Sequence, residues 1–224
     1  MRRKDEGAIA VKVMGLKDPV SALTHIAGAG ASVVGLVALI WRAAQRGTAW
    51  HLVSFAVFGA SLILLYTASS VYHSLQLSEQ ATLALRKVDH MMIFVLIAGS
   101  YTPFTLVPLR GIWGWSLFGA IWGCAAVGMG ITLFWMGAPR WLSTAFYILM
   151  GWLIIIAFYP LSQTVAPAVL FWLVAGGILY TLGAILYATK WPNPWPGRFG
   201  FHEIWHLFVI AGSAAHFAAV WQLI

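Results

Sequence analysis

The chain has 224 residues, 61% of them hydrophobic and 8% charged, with a mean hydropathy of +0.85. A soluble domain carries about 25% charged residues, so this composition excludes an ordinary soluble protein and indicates a membrane one. The single cysteine, Cys124, excludes a disulfide framework, and the formal charge of +7 reads in this setting as a topological signal rather than a nucleic-acid footprint.

A bilayer span needs about 20 apolar residues. Residues 1–19 are basic and polar and read as a cytoplasmic N-terminal segment. They do not read as a signal peptide, because the first apolar run is long enough to span and no small-residue cleavage site follows it. Seven spans then follow, at roughly 20–41, 51–73, 89–108, 112–135, 141–160, 165–189 and 201–223. The breaks carry turn and charge signals: "RAAQRGTAWH", "SLQLSEQATLALRK", "PLRG", "MGAPR", "PLSQTVAP" and "TKWPNPWPGRFG". Trp41, Trp50, Trp113, Trp141, Trp191, Trp195 and Trp221 lie near span ends, as in an interfacial aromatic belt. The predicted fold class is therefore all-α, with residues 20–224 forming one seven-transmembrane helix bundle.

Lys and Arg set its orientation. Arg2, Arg3, Lys4, Lys12, Lys17, Arg86, Lys87, Arg140, Lys190 and Arg198 fall on one side, ten in all; Arg42, Arg46 and Arg110 fall on the other, three in all. The bias places the N-terminus in the cytoplasm and the C-terminus outside.

Ionisable residues inside spans are costly, and each is a functional candidate. The sequence offers His25 in span one, His73 ending span two, Asp89 and His90 opening span three, and His202, Glu203, His206 and His216 in span seven. With the orientation above, His25, His73, Asp89, His202 and His206 converge near the cytoplasmic leaflet. His202 and His206 are one helical turn apart on one face, about 6 Å from each other. Ser69 and His73 share a face in the same way, with the hydroxyl one turn deeper. Three histidines and a water make a catalytic zinc arrangement, and a nearby carboxylate can take the proton of that water. Asp89 is that carboxylate by depth. The plain alternatives are an interfacial role for any single span-end histidine, helix packing for Ser69, and capping or pairing with Arg86 or Lys87 for Asp89. Asp18-Pro19 reads as a helix N-cap with proline in the first turn.

The stretches "SSVYHS", "RKVDHMMIFVLIAGSYTPF" and "FHEIWHLFVIAGSAAHF", with "DPVSALTHIAGAGAS" at the start, resemble the hemolysin III proteins, the bacterial branch of the progestin and adipoQ receptor family. The resemblance covers nearly the whole chain. It implies a zinc near the cytoplasmic face held by His73, His202 and His206, with Asp89 binding the zinc or its water and Ser69 lining the site. It also implies a multi-pass protein of the plasma membrane, the bacterial inner membrane, working among membrane lipids in membrane homeostasis. Related adiponectin receptors are thought to hydrolyse lipid amides such as ceramides. The family often carries Glu at the position of Asp18.

Four functions are weighed. A zinc hydrolase of a lipid amide or ester would use Asp89 as general base. A non-enzymatic sensor or receptor would use zinc structurally, to tie spans two, three and seven together. An intramembrane metalloprotease would rest on H-E-x-x-H at 202–206, with Glu203 as base. A secreted haemolysin must first be soluble, which seven apolar spans oppose. The sequence favours the first.

Overall fold

The computed structural model describes residues 15–135 and 137–224. Residues 1–14 of the predicted N-terminal segment, with Arg2, Arg3, Lys4 and Lys12, lie outside the described residues. Among those described there are only helices and one isolated bridge, between Trp195 and Phe199. The helices are α1 (Pro19–Arg46), α2 (Ala49–Ser74), α3 (Glu79–Leu106), α4 (Ile112–Phe134), α5 (Arg140–Trp152), a 3-10 turn (Leu153–Ala157), α6 (Phe158–Ser162), α7 (Pro167–Thr189) and α8 (Phe201–Trp221).

Local chemistry sets the helix starts. Pro19 and Pro167 open α1 and α7, where a missing N–H costs nothing. Ser78 caps α3 by accepting from Ala81 N at 3.4 Å. This cap starts α3 ten residues before the predicted 89, so Asp89 and His90 sit in its third turn rather than at its mouth. At the other end of α1, the helix runs five residues past the predicted 41. Arg42 is drawn back into the bundle there, donating to the Ile224 carbonyl at 2.6 Å and lying over the Trp221 ring.

Among the described residues, six stretches are long and apolar enough to cross a membrane: α1, α2, α4, residues 140–162, α7 and α8. The chain is thus a multi-pass membrane protein. The α3 helix has the length, at 28 residues, but carries Glu79, Arg86, Lys87 and Asp89. It is buried at Asp89, Phe94 and Leu96 and continuously from Ala98 to Leu106. The fifth predicted span is not one helix. Pro160 has no N–H for the Ile156 carbonyl and its ring crowds that carbonyl, and the chain tightens into the 3-10 turn just before it.

Consecutive helices α1 to α4 pack side by side, α5 packs on α7, α7 on α8, and α8 closes onto α1. The α3 helix also touches α5 and α8, which places it inside this ring. Its neighbours supply Phe55, Phe58, Ile121 and Val220 to the core, all fully buried. Close approach is needed at Gly28, where a Cβ would stand 2.9 Å from the Tyr66 ring. Large apolar side chains such as Val34, Leu64, Val127, Ile156 and Phe171 face outward. So much exposed apolar surface is a liability in water and ordinary in lipid.

Candidate metal centre

The last turn of α2 and the first two turns of α8 meet at one end of the bundle. They bring His73, His202 and His206 together, with one ring nitrogen from each lying within 4.8 Å of the others. His73 Nε2 and His202 Nε2 are 3.3 Å apart. The three pairwise ring-centroid distances are 4.7, 5.0 and 5.1 Å, at interplanar angles of 51°, 74° and 55°. Rings at these angles point at a common centre instead of stacking. The three histidines predicted as ligands are therefore the three the fold brings together.

His73 is held from behind. Its Nδ1 lies 2.9 Å from Asp18 Oδ2. An ionised carboxylate only accepts, so Nδ1 carries the proton and Nε2 turns its lone pair to the other two rings. A carboxylate behind an imidazole in this way fixes tautomer and orientation for a metal. The backbone secures the arrangement: Asp18 N–H donates to the His73 carbonyl at 2.9 Å and Lys17 N–H to the Ser74 carbonyl at 3.3 Å. Lys17 Nζ donates to the Tyr72 carbonyl at 2.7 Å and lies over the Tyr72 ring. Partial burial works to raise the Asp18 carboxyl, but the His73 hydrogen bond and the nearby charges of His73, Lys17 and His202 outweigh it and hold it below its ordinary value. Asp18 does precede α1, with Pro19 at the first turn, but its side chain caps nothing. The N-cap position with proline in the first turn is as expected, but the side chain turns to His73, which offers the carboxylate a donor across the bundle.

The set fits a cation. His206 is fully buried, and neither of its ring nitrogens has a hydrogen-bond partner among the described residues. Buried polar atoms of this kind call for a missing partner, and three converging imidazoles suit a transition metal.

His25, expected at the interface, is 2% exposed and stacks on His206. The signal was the spacing Ser21, His25, Gly28 and Ser32, a polar and small stripe on one face of α1 that is buried throughout. Asp89 lies outside the three-histidine set. It is 4% exposed, and Ser69 beside it is 1% exposed. Asp89, Ser69 and His25 together line the near end of a narrow cavity of about 100 Å³. Its walls are apolar side chains such as Leu65, Ile93, Ile97 and Val209. Gly151, exposed, also lines it. On the outer side His202 faces an open vestibule bordered by Asp18, Gln76, Asn193, Arg198 and Glu203.

Glu203 is committed elsewhere. Its Oε2 accepts from Gly200 N–H at 2.7 Å and its Oε1 from the Ser21 hydroxyl at 3.2 Å. It is a first-turn acid at the start of α8, where the helix dipole favours it. His90 lines a different pocket with Arg86, Arg140 and Tyr147. His51 serves the start of α2, its Nδ1 accepting from Thr48 N–H at 3.1 Å. His216 stands at the far end of the narrow cavity.

Comparison with known proteins adds lineage to this geometry. The model of the family described as "Haemolysin-III related" matches residues 15–217. A "Hemolysin-3 homolog" of Bacillus subtilis (strain 168) is 43% identical over 201 residues, covering 89% of this chain and 91% of that one. The human "Monocyte to macrophage differentiation factor" is 28% identical over 184 residues, covering 77% of this chain and 71% of its own. An "Adiponectin receptor protein" of Drosophila melanogaster is 26% identical over 229 residues, covering 89% of this chain and 49% of the receptor.

Proposed function

Because the chain belongs to the haemolysin-III related family, which is kin to the progestin and adipoQ receptors, we propose that it is a zinc-dependent hydrolase of a lipid amide or ester. It spans the plasma membrane seven times, α3 included, with its N-terminus in the cytoplasm. Lys17, Arg86, Lys87, Arg140, Lys190 and Arg198 are the described cations on the predicted cytoplasmic side, against Arg42, Arg46 and Arg110 on the other. That asymmetry supports the orientation. The observation that carries the chemistry is three converging histidines, with neither ring nitrogen of His206 partnered among the described residues, set against His25, which stacks on His206 and lines an apolar cavity with Asp89 and Ser69.

When bound there by His73, His202 and His206, zinc would polarise a carbonyl and lower the pKa of water to near neutrality. The protein's own groups do the rest. Asp18 keeps His73 in the binding tautomer. Asp89, at the cavity's polar end, takes a proton from the attacking water and returns it to the leaving amine or alcohol. Ser69 orients the Asp89 carboxylate. The apolar walls hold the acyl chain and keep bulk water from the reacting carbonyl.

The test is hydrolysis of ceramide by purified, metal-loaded protein. Wild type should turn over, and both His73→Ala and Asp89→Asn should lose turnover. Equal rates in all three sink the assignment. A second reading, a sensor with structural zinc, draws support from the centre's reach across α1, α2 and α8. It takes precedence if metal removal lowers the melting temperature and no turnover is found.

A further inference from the structure

Nearly every polar side chain at the far end of the narrow cavity is already paired. Tyr180 Oη lies 2.8 Å from Ser213 Oγ, behind the cavity wall. The Tyr101 hydroxyl donates to the Met150 and Gly151 carbonyls, each at 2.7 Å, and accepts from Ile154 N–H at 2.9 Å. Trp152 Nε1 donates to Thr181 Oγ1 at 2.9 Å, Thr181 to the Gly177 carbonyl at 2.7 Å, and Ser100 to the Ile97 carbonyl at 2.8 Å.

His216 is the exception. It is 8% exposed, and neither ring nitrogen has a hydrogen-bond partner among the described residues. The Leu173 carbonyl lies beside the ring without reaching hydrogen-bond geometry. The ring stands edge-on to Tyr180, 5.2 Å between centroids. The α7 backbone makes room for it: at Gly176 any Cβ would collide with the imidazole. An imidazole buried in apolar surroundings with no partner is costly, and here it borders a cavity.

We propose that His216 is a second polar subsite, which hydrogen bonds a hydroxyl carried far along the acyl chain of the cavity's ligand. His216 lies ten residues beyond His206 on α8, hence ~15 Å deeper along the helix axis. A chain whose carbonyl sits at the histidine cluster reaches that depth near about its twelfth carbon. The cavity's lining runs from His25, Ser69 and Asp89 to His216 past apolar side chains such as Leu65, Ile97 and Val209, which suits an acyl chain. This inference rests on reading the cavity as an acyl-chain site.

The experiment measures binding of stearate, 2-hydroxystearate and 12-hydroxystearate to the purified, metal-loaded protein. Wild type should bind 12-hydroxystearate about tenfold more tightly than stearate, the worth of one good hydrogen bond made in a dry site. The 2-hydroxy isomer should show no such gain. His216→Phe should bind stearate normally, keep its metal and lose the preference, and His216→Gln should restore part of it. Equal affinity for stearate and 12-hydroxystearate overturns the subsite while leaving the acyl-chain reading intact. So does the same gain from the 2-hydroxy isomer, or a preference that survives in His216→Phe. Failure to bind any of the three overturns the acyl-chain reading and this inference with it. The wild-type series decides the matter even if His216→Phe fails to fold.

Discussion

His25 stacks face to face on His206, with ring centroids 3.7 Å apart and planes 14° from parallel. Two rings in that relationship do not point their lone pairs at one ion, whereas the 4.7–5.1 Å, steeply angled pairs among His73, His202 and His206 do. The stack makes His25 a support for a ligand. His25→Phe, which keeps a flat ring, should therefore retain the full complement of zinc, and His206→Ala should lose it. Elemental analysis of the purified proteins distinguishes them; metal loss in His25→Phe would make His25 a ligand.

Asp18 should govern metal affinity from behind His73. Partners of this kind change affinity by about 10- to 100-fold when removed. Asp18→Asn should thus give up zinc to a competing chelator at a correspondingly lower concentration than wild type, with the fold intact. Unchanged competition curves would mean that the Asp18 contact does not orient the imidazole for metal.

The same carboxylate gives a pH signature in metal-free protein. Its folded value lies below the ordinary 3.8, with His73, Lys17 and His202 as the facing charges. A depressed acid contributes stability that is complete above the unfolded value and fades as pH falls through the folded one. The melting-temperature gap between wild type and Asp18→Asn should close as pH falls below 3.8. A gap that widens in acid reverses the sign and refutes the pairing.

Glu203 and Asp89 should behave oppositely. Glu203→Ala removes the acceptors for Gly200 N–H and the Ser21 hydroxyl. It should cost about 1 kcal/mol of stability and leave zinc content and turnover near wild type. Asp89→Asn should keep zinc and lose turnover. Lost turnover in Glu203→Gln beside an active Asp89→Asn restores the H-E-x-x-H protease reading.

Tyr101 should be a structural residue whose loss is felt in the broken helix. Its hydroxyl serves the backbone of Met150, Gly151 and Ile154, where the chain leaves α5. Tyr101→Phe strands those groups in an apolar setting, at a cost of about 1–3 kcal/mol. A clear drop in melting temperature with metal content unchanged is expected. No drop would mean the backbone finds other partners.

Six of the spans were readable from apolar length, and the histidine trio from helical spacing. Apolar length marks a helix in lipid, and His202 and His206 one turn apart mark a face. Charge bias then placed His73 at the same depth. Asp18 was readable as the N-cap of α1 but not as the partner of His73, because Asp-Pro before an apolar run has a sufficient local explanation and that partner lies 55 residues away. Asp89 was placed at a helix start because the polar turns of α3 before it resemble a loop. The break at 153–157 was invisible because a 3-10 turn of Leu, Ile and Ala has no composition of its own. His25 and His216 became interpretable only once packing revealed which polar groups had partners and which had none.

The cluster joins the first, second and last long helices of the chain. Asp18 and His73 are synthesised well before His202 and His206. During translation the donor set therefore stays incomplete until α8 is inserted and docked beside α1. A chain stalled or truncated before that helix holds no more than half of the centre. Retention of metal can then serve as a readout of completed insertion, separating finished molecules from partly assembled ones in the same membrane.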